Sequence, residues 1–294
     1  MLIRSIQIFV KYALIICSLS SFIFIVIKFY DHWELISKWE MNSQEYFLLF
    51  LLSVLYGTTL FILAISWFVL LQNVENNKIA IKPAIGIYAR AQIAKYLPGN
   101  IFHLIGRHFY LQHFNFAHSA VLKTSLLEAL LMLGCAFLTS LLFWNTVLIP
   151  QVDLSPSIVL GILGAVVAGT HGTVFFQLNG PFANKLKTWV IALFLCSLFF
   201  LLQGCIFMLS SLILNWEISS FLIFVTAISW AIGFVLPGAP GGLGVREFIM
   251  FFLLNGIFPE TEILILLAMF RLITILGDVS FFLMGLIFNA TPEK

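Results

Sequence analysis

Six long apolar runs dominate this sequence, and each is long enough to form a helix that crosses a lipid bilayer. A membrane-spanning helix needs about 20 apolar residues. Charged residues make up only 10% of the 294 residues, whereas a soluble domain carries about 25%. The sequence therefore predicts an all-α, polytopic membrane protein. The six runs are approximately Lys11–Phe29, Tyr46–Leu71, Thr124–Leu148, Ser157–Phe176, Trp189–Leu214 and Ile263–Phe288.

Two further apolar segments, Ile79–Phe116 and Ser219–Phe258, are interrupted by proline and glycine. Proline removes a backbone donor and disrupts the preceding helical turn. Glycine-rich backbone at membrane depth must be buried in protein or line a wet cavity. We therefore predict two re-entrant helical hairpins, Ile81–Phe116 entering from the cytoplasm and Ser219–Phe258 from the outside. Alternatively, Ser219–Val235 crosses fully, which gives eight transmembrane helices.

A weak internal repeat relates the two interrupted segments. When Pro98 is aligned with Pro237, six of thirteen neighbouring positions match without a gap. The same offset moves the first three apolar runs onto the last three. Each half then has three crossings, and an odd number inverts the second half, as in many transporters. We predict one transmembrane domain built of two inverted repeats, about residues 1–150 and 151–294.

The distribution of lysine and arginine predicts the orientation of the chain. Cytoplasmic loops carry an excess of these residues. The polar stretch after the first run is mainly acidic, whereas the stretch between the second and third runs carries six cations. Both termini are therefore expected on the cytoplasmic side of the cytoplasmic (inner) membrane. Lys82, Lys95 and Lys123 are expected to extend to the cytoplasmic interface.

Charged residues inside the apolar segments are the candidates for function, because burying a charge in a bilayer is costly. Arg107 and Arg246 each follow the first proline of a tip by nine residues. Free backbone amides and an arginine can bind an anion, so we predict that both tips contact substrate. The remaining predicted substrate-binding residues are Glu247, Pro98, Gly99, Asn100, Pro237, Gly238, Gly241 and Gly242.

Three more buried charges, Glu128, Arg271 and Asp278, are predicted to pair within the bundle, contact substrate or couple movement to protons. Arg271 and Asp278 are seven residues apart on one run and therefore share a helix face. Glu128 lies in the first turns of the third run, where it could face one of the arginines. Pairing within the bundle and a direct role in transport both remain open from the sequence.

No metal, cofactor or catalytic signature is evident. Four histidines recur every five residues, and this spacing turns steadily around a helix rather than placing them on one face. The sequence contains no P-loop, no His-Glu-x-x-His and no Gly-x-Ser-x-Gly motif. We therefore expect neither a metal site nor a cofactor. The four histidines are His103, His108, His113 and His118.

Two of these stretches resemble a known family. Ala94–Asn100, continuing to Arg107 and Glu128, is similar to the first signature of the lysylphosphatidylglycerol synthase transmembrane-domain family, and Val235–Glu247 to its second, Pro-Gly-Gly-x-Gly-x-Arg-Glu. The resemblance implies lipid translocation, with the Pro-Gly segments and Arg246 near the lipid path. The sequence has no counterpart of the family's soluble aminoacyl-transferase domain, so synthesis of a lysyl lipid is not expected.

The leading functional hypothesis is a lipid flippase, not an enzyme. Its substrate would be a phospholipid or a glycolipid, in either case including aminoacylated or polyprenyl-linked forms. The alternatives are a membrane-embedded transferase and a non-transporting scaffold in cell-envelope lipid or polysaccharide synthesis. The expected partners are membrane lipids, envelope-biosynthesis enzymes and further copies of the chain. A net charge of +2 is too small to indicate nucleic-acid binding.

Overall fold

The computed structural model of this chain describes residues 19–74, 78–96, 102–143, 156–236 and 240–288, the side chains of residues 156–160 and 240 excepted. The described residues are almost entirely helical and form no β-strand, which confirms the all-α prediction. The helices are α1 (residues 19–31), α2 (Trp33–Ser37), α3 (Ser43–Val74), α4 (Ile81–Gln92), α5 (Phe102–Gln112), α6 (His118–Leu142), α7 (Pro156–Gln177), α8 (Phe182–Ser210), α9 (Phe221–Val235), α10 (Val245–Leu254) and α11 (Glu260–Gly285). Short 3-10 turns occupy Ile93–Tyr96, Ser211–Leu214 and Pro240–Gly242.

Four helices among the described residues are long and apolar enough to cross a membrane. They are α3, α6, α11 and the stretch Phe182–Leu214, which joins α8 to the 3-10 turn after it. In each, the most apolar window is between 44% and 61% buried inside the protein. The other side of each window carries exposed apolar side chains, such as Phe47, Phe50 and Phe194. An apolar outer surface of this kind is compatible with contact with lipid.

The predicted spans agree with the helices in position but not at their ends. α3 and α8 begin three and seven residues before the predicted second and fifth runs. α6 begins at His118 and ends at Leu142, whereas the third run was predicted to extend from Thr124 to Leu148. Residues 144–148 lie outside the described residues, as do residues 11–18 of the first run, whose residues 19–29 are helical. The fourth run falls within α7.

Both interrupted segments fold as pairs of short helices. α4 packs against α5 to form the first hairpin, and α9 packs against α10 to form the second hairpin. The 3-10 turns at the ends of the two hairpins contact each other. A Cβ atom placed on Gly241 of the second hairpin would lie 3.7 Å from the Tyr96 ring of the first. The fold therefore brings together two tips that are distant in the sequence.

The order of the helices repeats at the offset of the sequence repeat. When Pro98 is moved onto Pro237, α3 covers residues 182–213 and coincides with Phe182–Leu214, while α6 covers residues 257–281 and overlaps α11. Each hairpin packs against a long helix that belongs to the other half of the chain. α4 of the first hairpin packs against α11, and α9 of the second hairpin packs against α6. Each hairpin thus rests on the last long helix of the other half, and this arrangement positions the site.

Small residues let the central helices approach closely. At the crossing of α3 and α11, a Cβ on Gly57 would lie 2.7 Å from the Gly277 carbonyl oxygen, and a Cβ on Gly277 would lie 2.8 Å from the Ser53 carbonyl oxygen. Where α8 crosses α9, a Cβ on Gly204 would lie 2.7 Å from Ile223 Cγ2. Close backbone approach at small residues is the usual way in which helices associate in lipid.

Candidate functional site

A cavity of about 220 Å³ lies between the two hairpins and is called the large cavity below. Both hairpins, α3, α6 and α8 contribute to its wall. Its polar and charged lining is formed by Tyr56, Tyr88, Gln92, Lys95, His103, Arg107, Ser125, Glu128 and Arg246. Most of the remaining wall is apolar or aromatic, including Phe199, Trp230 and Phe234. A mainly apolar wall with a few convergent polar groups is typical of a ligand site.

Arg107 and Glu128 form a buried ion pair on the first-hairpin side of this cavity. They are 2% and 3% exposed, respectively. Tyr88 donates its hydroxyl hydrogen to Glu128 Oε1 at 2.8 Å, and the Tyr88 ring centroid lies 3.7 Å from Arg107 Cζ. The Nε of Arg107 has no hydrogen-bond partner in the described part of the chain. The guanidinium is thus neutralised by one carboxylate and retains a free donor.

A second buried pair joins the first hairpin to α11. Asp278 is fully buried, and its carboxylate accepts hydrogen bonds from Lys95 Nζ at 2.8 Å and from the Tyr96 hydroxyl at 2.5 Å. The prediction that Lys95 extends to the cytoplasmic interface is therefore wrong. The amine turns inward because Asp278, 183 residues away in the sequence, offers a charge that water does not reach.

Arg246 is the cation of the site without a carboxylate partner among the described residues. Its Nε is buried and has no hydrogen-bond partner there. Its Cζ lies 5.4 Å from the Trp230 ring centroid, within the range of a cation–π contact. Two glycines make room for the side chain, because a Cβ on Gly233 or Gly242 would lie 2.5 Å from Arg246 atoms.

The second tip is attached to α11 through Glu247 and Arg271. Glu247 accepts a hydrogen bond from the Gly244 backbone N–H at 2.7 Å, and its Oε1 lies 3.5 Å from Arg271 Nη1. The glycines at 241, 242 and 244 all have positive φ angles, between 59° and 83°. Side chains with a Cβ rarely adopt this conformation. The Gly-rich motif is therefore required by the backbone of the tip.

The structure brings most of the predicted site residues together. Arg107, Arg246, Glu128 and Gly241 line the large cavity. Asp278 reaches its wall only through Lys95. Arg246, Glu247 and Arg271 line a second, smaller space behind the large cavity. Arg271 and Asp278 do not pair with each other, since each has a partner on a different hairpin. The predicted site residues Pro98, Gly99, Asn100, Pro237 and Gly238 lie outside the described residues.

Sequence reasoning missed three aromatic residues of the site. Tyr88 and Tyr96 hydrogen-bond to the buried carboxylates, and Trp230 lies against Arg246. Tyr96 directly precedes the first tip in the sequence, and this position was the one sequence feature that could have indicated a role in the site. Of the four histidines, His108 and His118 stack with ring centroids 4.5 Å apart. Within the described residues, no group of three or more His, Cys, Asp or Glu side chains could hold a metal ion.

Comparisons of this chain with protein-family models and with curated proteins found no match. The likeness to the lysylphosphatidylglycerol synthase transmembrane family therefore depends on the motif residues alone. In the part of the chain that the structure describes, the fold and the site define a helical protein with four helices suited to a membrane and with charged groups between two broken segments.

Proposed function

We propose that this chain is a lipid flippase that moves a phospholipid or a glycolipid across the cytoplasmic membrane through the large cavity. The observation that carries the proposal is that Arg107 and Arg246, which come from opposite halves of the chain, line the same cavity. An arginine can bind the phosphate of a lipid head group by charge-assisted hydrogen bonds. Membrane lipids are thus the proposed substrate and partner.

We further propose a topology of six crossings and two re-entrant hairpins. The hairpin helices α4, α5, α9 and α10 contain 12, 11, 15 and 10 residues. At 1.5 Å per residue, none is longer than about 23 Å, whereas the hydrocarbon core is about 30 Å thick. Short helices that pack in pairs favour re-entrant hairpins over the alternative with eight full crossings.

The dimensions of the large cavity suit a head group rather than a whole lipid. Its volume of about 220 Å³ is below the range of about 300–1,000 Å³ that is usual for sites of drug-sized ligands. Val235 lines the cavity and is 54% exposed. The wall of the cavity therefore reaches the apolar surface there, and we propose that the acyl chains remain outside, next to Val235.

The energy source proposed for the movement is a lipid gradient or protons, because the sequence contains no nucleotide-binding motif. Glu128 and Asp278 are the proton acceptors in this proposal. Each carboxylate neutralises one cation of the large cavity, Arg107 or Lys95. Protonation of either carboxylate would release its cation to bind a head group, and this exchange would couple the two events.

Lipid scrambling in liposomes tests the proposal. Purified protein is reconstituted with fluorescent phosphatidylglycerol or phosphatidylethanolamine, and dithionite quenching reports the lipid that reaches the outer leaflet. We expect wild-type protein to accelerate the exchange of at least one head group. Arg246→Gln should slow it about tenfold, because a charge-assisted hydrogen bond contributes about 1.5–3 kcal/mol and 1.4 kcal/mol is a factor of ten.

Arg90→Gln is the matched control for that experiment. Arg90 donates hydrogen bonds to carbonyl oxygens at the end of α11, including that of Phe288 at 2.8 Å, and it does not line the large cavity. This variant should scramble lipid at the wild-type rate. If wild-type protein accelerates the movement of no head group, or if both variants slow it equally, the cavity is not the lipid path.

A further inference from the structure

A small chamber lies behind Arg246, on the side away from the first hairpin. Its volume is about 30 Å³, and its wall is built from α8, α9, α10 and α11. Arg246 and Trp230 border both this chamber and the large cavity and therefore lie between the two spaces. The wall also contains Gln203, Leu267, Arg271 and the carboxylate of Glu247.

Most of the unpartnered hydrogen-bonding atoms around the chamber are donors. The Nε of Arg246 and the Nε and Nη2 of Arg271 are buried and have no partner among the described residues. The unpartnered acceptor in the chamber is Oε1 of Gln203. The hydroxyl groups of Thr226 and Ser229 donate to backbone carbonyl oxygens of α9 and add no free donor. Unmade hydrogen bonds of buried groups are costly, so an acceptor placed in the chamber would stabilise these donors.

The charges of the two spaces do not cancel. The two spaces are lined by four cations and two carboxylates, and a third carboxylate, Asp278, pairs with Lys95 behind the wall. Lys95 pairs with Asp278, Arg107 pairs with Glu128, and Arg271 lies near Glu247. Arg246 remains and has no carboxylate partner within the described residues. The Nε of Arg246 is buried although the residue as a whole is half-buried, and one negative charge next to Arg246 would compensate its charge.

The internal repeat shows at which position the second half lacks a carboxylate that the first half has. At the offset of the repeat, Arg246 corresponds to Arg107, and Leu267 corresponds to Glu128. Glu128 neutralises Arg107 in the first half. In the second half the equivalent position is apolar, and the small chamber lies against it. The chamber therefore occupies the place at which the first half holds a carboxylate.

We propose that the small chamber binds one monovalent anion of about the size of chloride, held between Arg246 and Arg271. The anion takes the role that Glu128 has in the first half. It neutralises Arg246 and also contacts Arg271, and it thereby fixes the second tip to α11. A monatomic ion fits the volume of about 30 Å³. This inference is independent of lipid transport, because it depends only on the charges and on the repeat.

Thermal unfolding in halide series tests the proposal. Purified protein in neutral detergent is first exchanged into sodium gluconate, and chloride or bromide then replaces gluconate at constant ionic strength. We expect a saturable rise of about 2–4 °C in the unfolding midpoint, because an anion that binds only the folded state stabilises it by mass action. Bromide should also give an anomalous diffraction peak in the chamber.

Leu267→Glu and Leu267→Gln form the decisive pair of variants. Leu267→Glu supplies the missing carboxylate, so its midpoint should no longer depend on halide. Leu267→Gln has nearly the same shape without the charge and should keep the wild-type dependence. Equal halide responses in the two variants, or a wild-type midpoint that does not respond to halide, would overturn the proposal.

A lipid phosphate could supply the same negative charge, and a separate arm distinguishes this source. The halide series is repeated after addition of phosphatidylglycerol to the detergent micelles. A free anion in its own chamber predicts that the halide response persists. If the lipid abolishes the response and no bromide peak appears in the chamber, the anion at Arg246 is the lipid phosphate and the small-ion site does not exist. Water density without bromide in the chamber contradicts the proposal as well.

Discussion

At the scale of single residues, the interior is organised by ion pairs that connect distant parts of the chain. Lys95 and Asp278 are 183 residues apart, and Arg107 and Glu128 are 21 residues apart. Arg107, Glu128 and Asp278 are buried and the Lys95 side chain is only 18% exposed, so these charges are screened little by water. Removal of one member of a buried pair leaves the other without compensation, and this costs more than the pair contributes.

The Arg107–Glu128 pair gives a direct test of this asymmetry. Glu128→Gln should lower the free energy of unfolding by about 3–5 kcal/mol, because Arg107 then remains buried and charged. The double variant Arg107→Met/Glu128→Gln should recover much of that loss. Reversible unfolding in mixed micelles, followed by circular dichroism, measures both values.

Glu34→Gln is the control for the charge change itself. Glu34 pairs with Lys38 one turn away in the sequence, and the two side chains are 83% and 68% exposed. Exposed pairs of this kind contribute little, so the variant should unfold like the wild type. A Glu128→Gln variant that unfolds like this control would show that Arg107 is not held by Glu128.

At the scale of helices, the long apolar runs and the Pro-Gly interruptions of the sequence predicted the positions of most helices. The second run was predicted at Tyr46–Leu71, and the helix occupies Ser43–Val74. The extra turns are missed because polar residues at a membrane interface can continue a helix without adding to its apolar signal. Both Pro-Gly interruptions fall between paired short helices, α4 with α5 and α9 with α10. The pairing of Lys95 with Asp278 was not predictable from the sequence, since it depends on the packing of the first hairpin against α11, a helix of the other half.

The crossing of α3 and α11 gives a prediction at this scale. Gly277→Ala would place a Cβ 2.5 Å from Tyr56 Cδ1 and 2.8 Å from the Ser53 carbonyl oxygen. Backbone atoms cannot move aside without separating the helices, so we expect a loss of about 1–3 kcal/mol in the free energy of unfolding. Thermal unfolding of the variant measures the loss.

Gly164→Ala is the matched substitution in the same helical context. A Cβ on Gly164, in α7, meets no atom within 4 Å. Alanine is also a better helix former than glycine by about 1 kcal/mol, so this variant should be at least as stable as the wild type. If Gly277→Ala is equally well tolerated, the close crossing of α3 and α11 is not present in the membrane.

At the scale of the whole molecule, polar contacts collect at two opposite groups of helix ends. At one group, Asn73 at the end of α3 accepts the Asn179 backbone N–H at 2.8 Å. At the other, Lys28 of α1 contacts Glu260 at 2.6 Å, and Trp216 donates to Glu262 at 2.6 Å. The orientation predicted from lysine and arginine places the first group in the cytoplasm and the second outside. Sequence and packing thus agree on which loops share a side.

Labelling of single cysteines in intact cells tests this orientation. In a cysteine-free background, Lys38→Cys and Glu217→Cys should react with a membrane-impermeant maleimide added outside. Lys78→Cys and Lys185→Cys should react only after the membrane is opened, because the inverted repeat places both on the cytoplasmic side. If Lys38→Cys and Glu217→Cys label from different sides, the number of crossings between them is odd. The halves would then not be inverted, and Arg107 and Arg246 would share a cavity for a reason other than the internal repeat.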